Sequence, residues 1–149
     1  MDTSVKQTTL DVKFKKLYDD AILPYYATED AVGLDCTAYS IRWDAQYNCW
    51  VYGLGFAVEL PKGYGGFLYP RSSIYENNLS VCNAVGVIDP DYRGEVSVRF
   101  YEARFAKKYK INERCCQLVI MPYPKINVIE TNNLSETKRG ANGYGSTGK

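Results

Sequence analysis

The chain has 149 residues, 46% of them hydrophobic, which suits one domain with a sizeable core. Eighteen basic side chains against seventeen acidic ones leave a net charge of +1, giving no electrostatic reason for general nucleic-acid or membrane attraction. No apolar run is long enough for a transmembrane helix, and the absence of histidine rules out Ser-His-Asp triads, Cys-His pairs and His-ligated metals.

Strand signals dominate from the N-terminus onward. Met1-Asp2-Thr3-Ser4 lacks the apolar stretch of a secretory leader, so none is expected. Asp11 to Lys15 alternates with period two, and Tyr47 to Leu60 reads as two β segments interrupted by Gly53 and Gly55. Turns are predicted at Pro61-Lys62-Gly63, Asn77-Asn78, Asp89-Pro90-Asp91 and Asn132-Asn133. Gly66 to Tyr69 is a short strand, and Ser72 to Asn78 is the one helical turn, with serines suited to its N-cap. Further strands follow at Glu95–Phe100, Leu118–Met121 and Ile126–Ile129. Many short strands at regular spacing predict an all-β fold, a barrel or sandwich of jelly-roll type, with one short helix. Residues 1–134 would form it, and residues 135–149, with four glycines and little apolar content, a flexible C-terminal arm.

Cys36, Cys49, Cys82, Cys115 and Cys116 are odd in number, form no Cys-x-x-Cys and include an adjacent pair. Reduced thiols fit that pattern better than a disulfide framework or a zinc site.

The most informative stretch is Val85 to Glu95. Its apolar start, Val85, Val87 and Ile88, runs directly into Asp89, Asp91, Tyr92, Arg93 and Glu95, bracketed by Gly86 and Gly94. A carboxylate held at the end of a buried strand, with an aromatic three residues later, makes the frame of a small-molecule pocket. Four other segments accompany it in order: Ala31-Val32-Gly33-Leu34-Asp35, Pro70-Arg71-Ser72-Ser73, Arg114-Cys115-Cys116-Gln117-Leu118 and Arg139 to Gly148. Each is weak alone; their order and spacing are specific.

Together these five segments resemble the motifs of the homotrimeric dUTP pyrophosphatases, the dUTPases. The strongest matches are Gly86-Val87-Ile88-Asp89-x-x-Tyr92-Arg93-Gly94-Glu95 and Gly143-x-Gly145-Ser146-Thr147-Gly148. The resemblance implies a jelly-roll trimer with active sites at subunit interfaces. It implies Mg²⁺-dependent hydrolysis of dUTP to dUMP and pyrophosphate, which keeps uracil out of DNA and supplies dUMP for thymidylate synthesis. A cytoplasmic setting follows, that of a host cell if the protein is phage-encoded, without nucleic-acid or membrane partners.

The resemblance also assigns roles. Asp89 matches the general base that activates the attacking water. Tyr92 matches the tyrosine that packs on deoxyribose and leaves no room for a 2′-hydroxyl. Asn83, with the backbone at Val87, Ile88 and Asp89, matches the uracil pocket, where an amide offers both donors and acceptors. Arg71, Ser72 and Ser73 match the phosphate-contacting segment, although Ser73 stands where the family usually has glycine. Gln117 lies near the phosphates, and Arg114 before it supports the fold. Asp35 acts in the phosphate and metal region through water or by orienting an arginine. With Gln117 it is a water-mediated candidate at a Mg²⁺ held directly by the triphosphate. Arg139 reaches the γ-phosphate, Tyr144 stacks on uracil where phenylalanine is usual, and Gly145, Ser146 and Thr147 bind phosphate as the arm closes. A dCTP deaminase-like enzyme and a signalling protein built on the nucleotide-bound fold are the alternatives. The basic stretch Ala103 to Lys110 is the segment that could serve the second.

Overall fold

The computed structural model describes residues 9–145 and 148. Ten strands follow one another among these residues. They are β1 (Lys13–Lys16), β2 (Leu34–Thr37), β3 (Ser40–Asp44), β4 (Cys49–Gly53), β5 (Phe56–Glu59), β6 (Tyr64–Pro70), β7 (Leu79–Val81), β8 (Gly86–Ile88), β9 (Ser97–Glu102) and β10 (Arg114–Pro122). One four-stranded sheet has the order β2-β10-β6-β8, a second the order β3-β4-β9-β7, and β1 pairs with β5 alone. Every pairing is antiparallel. The all-β jelly-roll expectation holds, with the strands grouped as separate sheets over a shared core rather than as one closed ring.

Period-two side chains fill that core. Tyr52 of β4 and Phe100 of β9 are fully buried and meet edge to face at 5.2 Å, with Leu54, Phe56, Val98 and Leu118 packed in the same cluster. Between Arg114 and Cys116 the ladder to β2 shifts register. This bulge turns the adjacent Cys115 and Cys116 both inward, each 0% exposed. Hydrogen bonding to Cys115 and then Cys36, followed by burial, holds the Cys116 thiol well above its usual pKa. All five cysteines are free.

The helical turn is a 3-10 helix over Ser72–Asn77, ended by Asn78 in the left-handed region at φ 50°. Its N-cap is Arg71, which makes no side-chain cap hydrogen bond, so the serines occupy the first turn and not the cap. Ile126 to Ile129 is not a strand: these residues are extended away from any ladder, with Val128 88% exposed. β-propensity alone does not order a strand that has no hydrogen-bonding neighbour. No helix among the described residues is long and apolar enough to cross a membrane.

Candidate active site

The motif residues gather in two places, and strand alternation in β6 separates them. Its inward Leu68 lines one cleft, while Tyr69 and Arg71, on the other side of the chain's zigzag, line another. No residue lines both.

The first cleft, about 220 Å³, lies where β8 leaves the sheet, and Asn83, Gly86, Val87, Asp89 and Tyr92 line it with Leu68. β8 pairs with β6 through Gly86–Leu68 and Ile88–Gly66. Alternation along β8 buries Ile88 at 6% and leaves Val87 64% exposed, so the apolar run is half anchor and half pocket wall. Asn83 enters through a tight turn in which Ala84 adopts φ 60° and the Val85 N–H donates to the Asn83 carbonyl at 2.6 Å. Past Ile88 the chain folds sharply: the Tyr92 N–H donates to the Asp89 carbonyl at 3.1 Å. Arg93 staples this turn, donating from Nη1 to the carbonyls of Pro90 at 2.6 Å and Tyr92 at 3.1 Å, and pairing with Glu59 at 3.5 Å. Asp89 is exposed at the rim, where it also borders a wider cleft with Lys62 and Tyr123.

The second cleft, about 590 Å³, is lined by Val32, Pro70, Arg71, Ser72 and Gln117 among others. Asp35 of β2 and Gln117 of β10 are direct cross-strand partners. Arg114 donates from Nη1 to Asp35 Oδ2 at 2.9 Å, and Arg71 Nε stands 3.6 Å from Oδ1. Arg71 Nη1 also donates to the Arg114 carbonyl at 3.5 Å, and Gln117 Nε2 to the Pro70 carbonyl at 3.0 Å. Gly33 leaves room here for the Gln117 side chain, whose amide oxygen a β-carbon would displace. Two guanidiniums around a single carboxylate leave an excess of positive charge, with donors in the planar geometry that suits phosphate oxygens.

Ser73 is half-buried in the 3-10 helix behind Ser72. Arg139 lies on the exposed chain after β10, donating from Nε to the Asn142 carbonyl at 3.0 Å, and Tyr144 and Gly145 are fully in solvent. None of these four lines either cleft. Ser146 and Thr147 lie outside the described residues.

Two features escaped the sequence. Arg114, expected to support the fold, also grips the carboxylate of Asp35 directly. Periodicity could not place it, because the bulge puts Arg114 and Gln117 on the same side of β10 despite their odd spacing. Glu95 also lines the first cleft, and its carboxylate accepts from the Gly55 N–H at 2.9 Å, a contact forty positions away in sequence.

Known proteins share both the fold and the sequence. The dUTPase family model matches residues 19–148. A deoxyuridine 5'-triphosphate nucleotidohydrolase of Nautilia profundicola is 37% identical over 142 residues, covering 94% of this chain and 100% of that protein. The protein of that name from Escherichia phage T5 is 36% identical over 146 residues, covering 92% and 98%. Among solved structures, a Staphylococcus bacteriophage 80alpha dUTPase variant with dUpNHpp superimposes with a TM-score of 0.77. It is 21% identical, and the match covers 95% of this chain and 100% of that one. A variant dUTPase of phage phi11 of S. aureus, described with a structural Mg(II) ion, has a TM-score of 0.68 at 18% identity, covering 83% and 98%. The chain belongs to the dUTPase family.

Proposed function

We propose that this protein hydrolyses dUTP to dUMP and pyrophosphate. The observation that carries the reading is the first cleft, in which Asn83, Asp89 and Tyr92 converge on a space of nucleoside size at the tip of the β8 turn. Asn83 and the exposed backbone of β8 read the uracil edge by hydrogen bonds. Tyr92 packs on the deoxyribose and excludes a 2′-hydroxyl. Asp89 takes a proton from a water as its oxygen attacks the α-phosphorus; the bond from that phosphorus to the bridging oxygen breaks, and pyrophosphate leaves.

Arg71, Ser72 and Gln117 hold the phosphates, with Asp35 keeping Arg71 in place. Their cleft and the nucleoside cleft open on different sides of β6, which favours a site assembled from two copies of the chain, within a homotrimer. Arg139, Tyr144, Gly145, Ser146 and Thr147 close over the bound nucleotide from the arm. No group of three or more acidic or cysteine side chains among the described residues forms a metal cage. Asp35, already shared by two arginines, fits an outer role in which it and Gln117 bond waters of a Mg²⁺ carried by the phosphates. Bound there, Mg²⁺ would offset the triphosphate charge.

The test is pyrophosphate release from dUTP, dTTP, dCTP and UTP, with Mg²⁺ and with chelator. Turnover of dUTP alone is the expected result, lost on chelation. Equal rates on dTTP or UTP would refute the specificity assigned to Asn83 and Tyr92. Ammonia released from dCTP, measured in the same reactions, would replace the reading with the deaminase one.

A further inference from the structure

Tyr92 is 46% exposed, so packing alone does not fix its ring. Its hydroxyl is held by the chain itself at the surface, donating to the Glu95 carbonyl at 3.0 Å. The ring consequently lies back over Gly94, where a β-carbon would collide with the hydroxyl and ring edge. The position of the aromatic wall is therefore set by where the main chain at residue 95 stands.

That main chain is tied to a distant turn. Glu95 is half-buried, and its Oε1 accepts from the Gly55 N–H at 2.9 Å. The turn itself is stiff. Gly55 adopts φ 74°, its carbonyl accepts from the Leu17 N–H at 2.9 Å, and Tyr39 and Ala21 leave no room for a β-carbon there. Gly53 leaves the room the carboxylate occupies: a β-carbon there would stand 2.7 Å from Glu95 Oε1. The two glycines that interrupt Tyr47 to Leu60 thus make a socket for one side chain of the nucleotide cleft.

We infer that Glu95 is a positioning residue for sugar selection: its carboxylate, seated on Gly55, acts with the Val96 N–H bond to the Phe56 carbonyl at 2.9 Å to fix the carbonyl that tethers Tyr92. This rests on the reading of Tyr92 as the deoxyribose wall. A loosened ring would yield space to a 2′-hydroxyl while still touching deoxyribose, so discrimination should suffer before turnover does. A merely structural glutamate would instead lower stability and the rates on both nucleotides together.

The experiment measures kcat and KM for dUTP and UTP with the full chain and with Glu95→Ala, Glu95→Gln and Tyr92→Phe. Glu95→Ala should lower the dUTP-over-UTP ratio of kcat/KM about tenfold, the scale of one lost hydrogen bond to a charged group, with the dUTP change falling on KM. Glu95→Gln retains an oxygen that can accept from Gly55, and should hold the ratio within about twofold of the parent. Tyr92→Phe cuts the tether at its other end and should match Glu95→Ala even if the alanine variant fails to fold. An unchanged ratio in folded Glu95→Ala or in Tyr92→Phe would overturn the inference, as would equal damage from Gln and Ala. If the parent protein shows no preference for dUTP over UTP, the reading of Tyr92 is what fails. Crystal structures of parent and Glu95→Ala then decide the tether, and an unmoved Tyr92 ring refutes it.

Discussion

Arg114 grips Asp35 at 2.9 Å across the β2–β10 ladder, and the same carboxylate's other oxygen stands 3.6 Å from Arg71. Asp35 is only 14% exposed but Arg114 is 40% exposed, so solvent screens the pair and its worth to folding is about 1 kcal/mol or less. Under the proposed function its worth to phosphate binding is larger, because an arginine aimed at a triphosphate acts only where it is aimed. Asp35→Ala should therefore shift Tm by only a few degrees while lowering kcat/KM for dUTP about a hundredfold. Thermal unfolding and steady-state kinetics on the same sample check this. A large Tm loss with activity retained per folded molecule would show that the pair serves the fold.

Asp89 sits at the exposed rim of the first cleft, held there by its own turn, with no ion pair among the described residues. Asp89→Asn keeps the shape and removes the proton acceptor, so turnover should fall by roughly a hundredfold to ten-thousandfold. Affinity for dUTP should change little. Single-turnover rates beside equilibrium binding separate the two, and an unimpaired rate would dismiss Asp89 as the base.

How much of this was legible in advance depended on whether local pattern or distant pairing placed each residue. The Val85–Glu95 segment carries its own instructions, an apolar alternation ending in a Pro-Asp turn, and the cleft appears where those instructions put it. β2, β3 and β7 carried none. Leu34-Asp35-Cys36-Thr37 and Ser40-Ile41-Arg42-Trp43-Asp44 become strands because β10 and β4 stand beside them. Ile126 to Ile129 has the stronger β composition and no such neighbour in the chain, and stays unladdered. The bulge at Arg114 to Cys116 and the Glu95–Gly55 contact both join residues far apart in sequence, beyond the reach of any periodicity.

The buried core cluster runs from Cys36 to Leu118 and includes nothing from the arm. Deleting residues 135–149 should accordingly leave the β-sheet spectrum intact and Tm within a few degrees of the parent. Turnover of dUTP should be lost, because Arg139, Ser146 and Thr147, which we propose close over the nucleotide, go with the arm. Circular dichroism and the pyrophosphate assay on the truncated chain test the two halves of the statement. Full activity after truncation would refute closure by the arm; a collapse of the spectrum would refute the domain boundary.

Alkaline stability follows from Tyr52. This side chain is 0% exposed, burial pushes its pKa up from 10.0 to about 12, and its hydroxyl donates to the Tyr109 carbonyl at 3.2 Å. A raised folded-state value means that the unfolded chain releases the phenolic proton first. Its contribution is complete below pH 10.0 and is lost as pH rises toward about 12, on the order of 2 kcal/mol across that window. Tyr109 is also buried and also raised, so the parent protein should lose stability with a slope exceeding one proton. Tyr52→Phe should cost about 1 kcal/mol near neutral pH by removing the hydrogen bond. Above pH 10.0 its unfolding free energy should fall less steeply than the parent's, by about one proton. Urea unfolding at neutral pH and at several alkaline values measures both quantities. Parallel slopes in parent and variant would mean that Tyr52 does not titrate differently in the folded and unfolded chains.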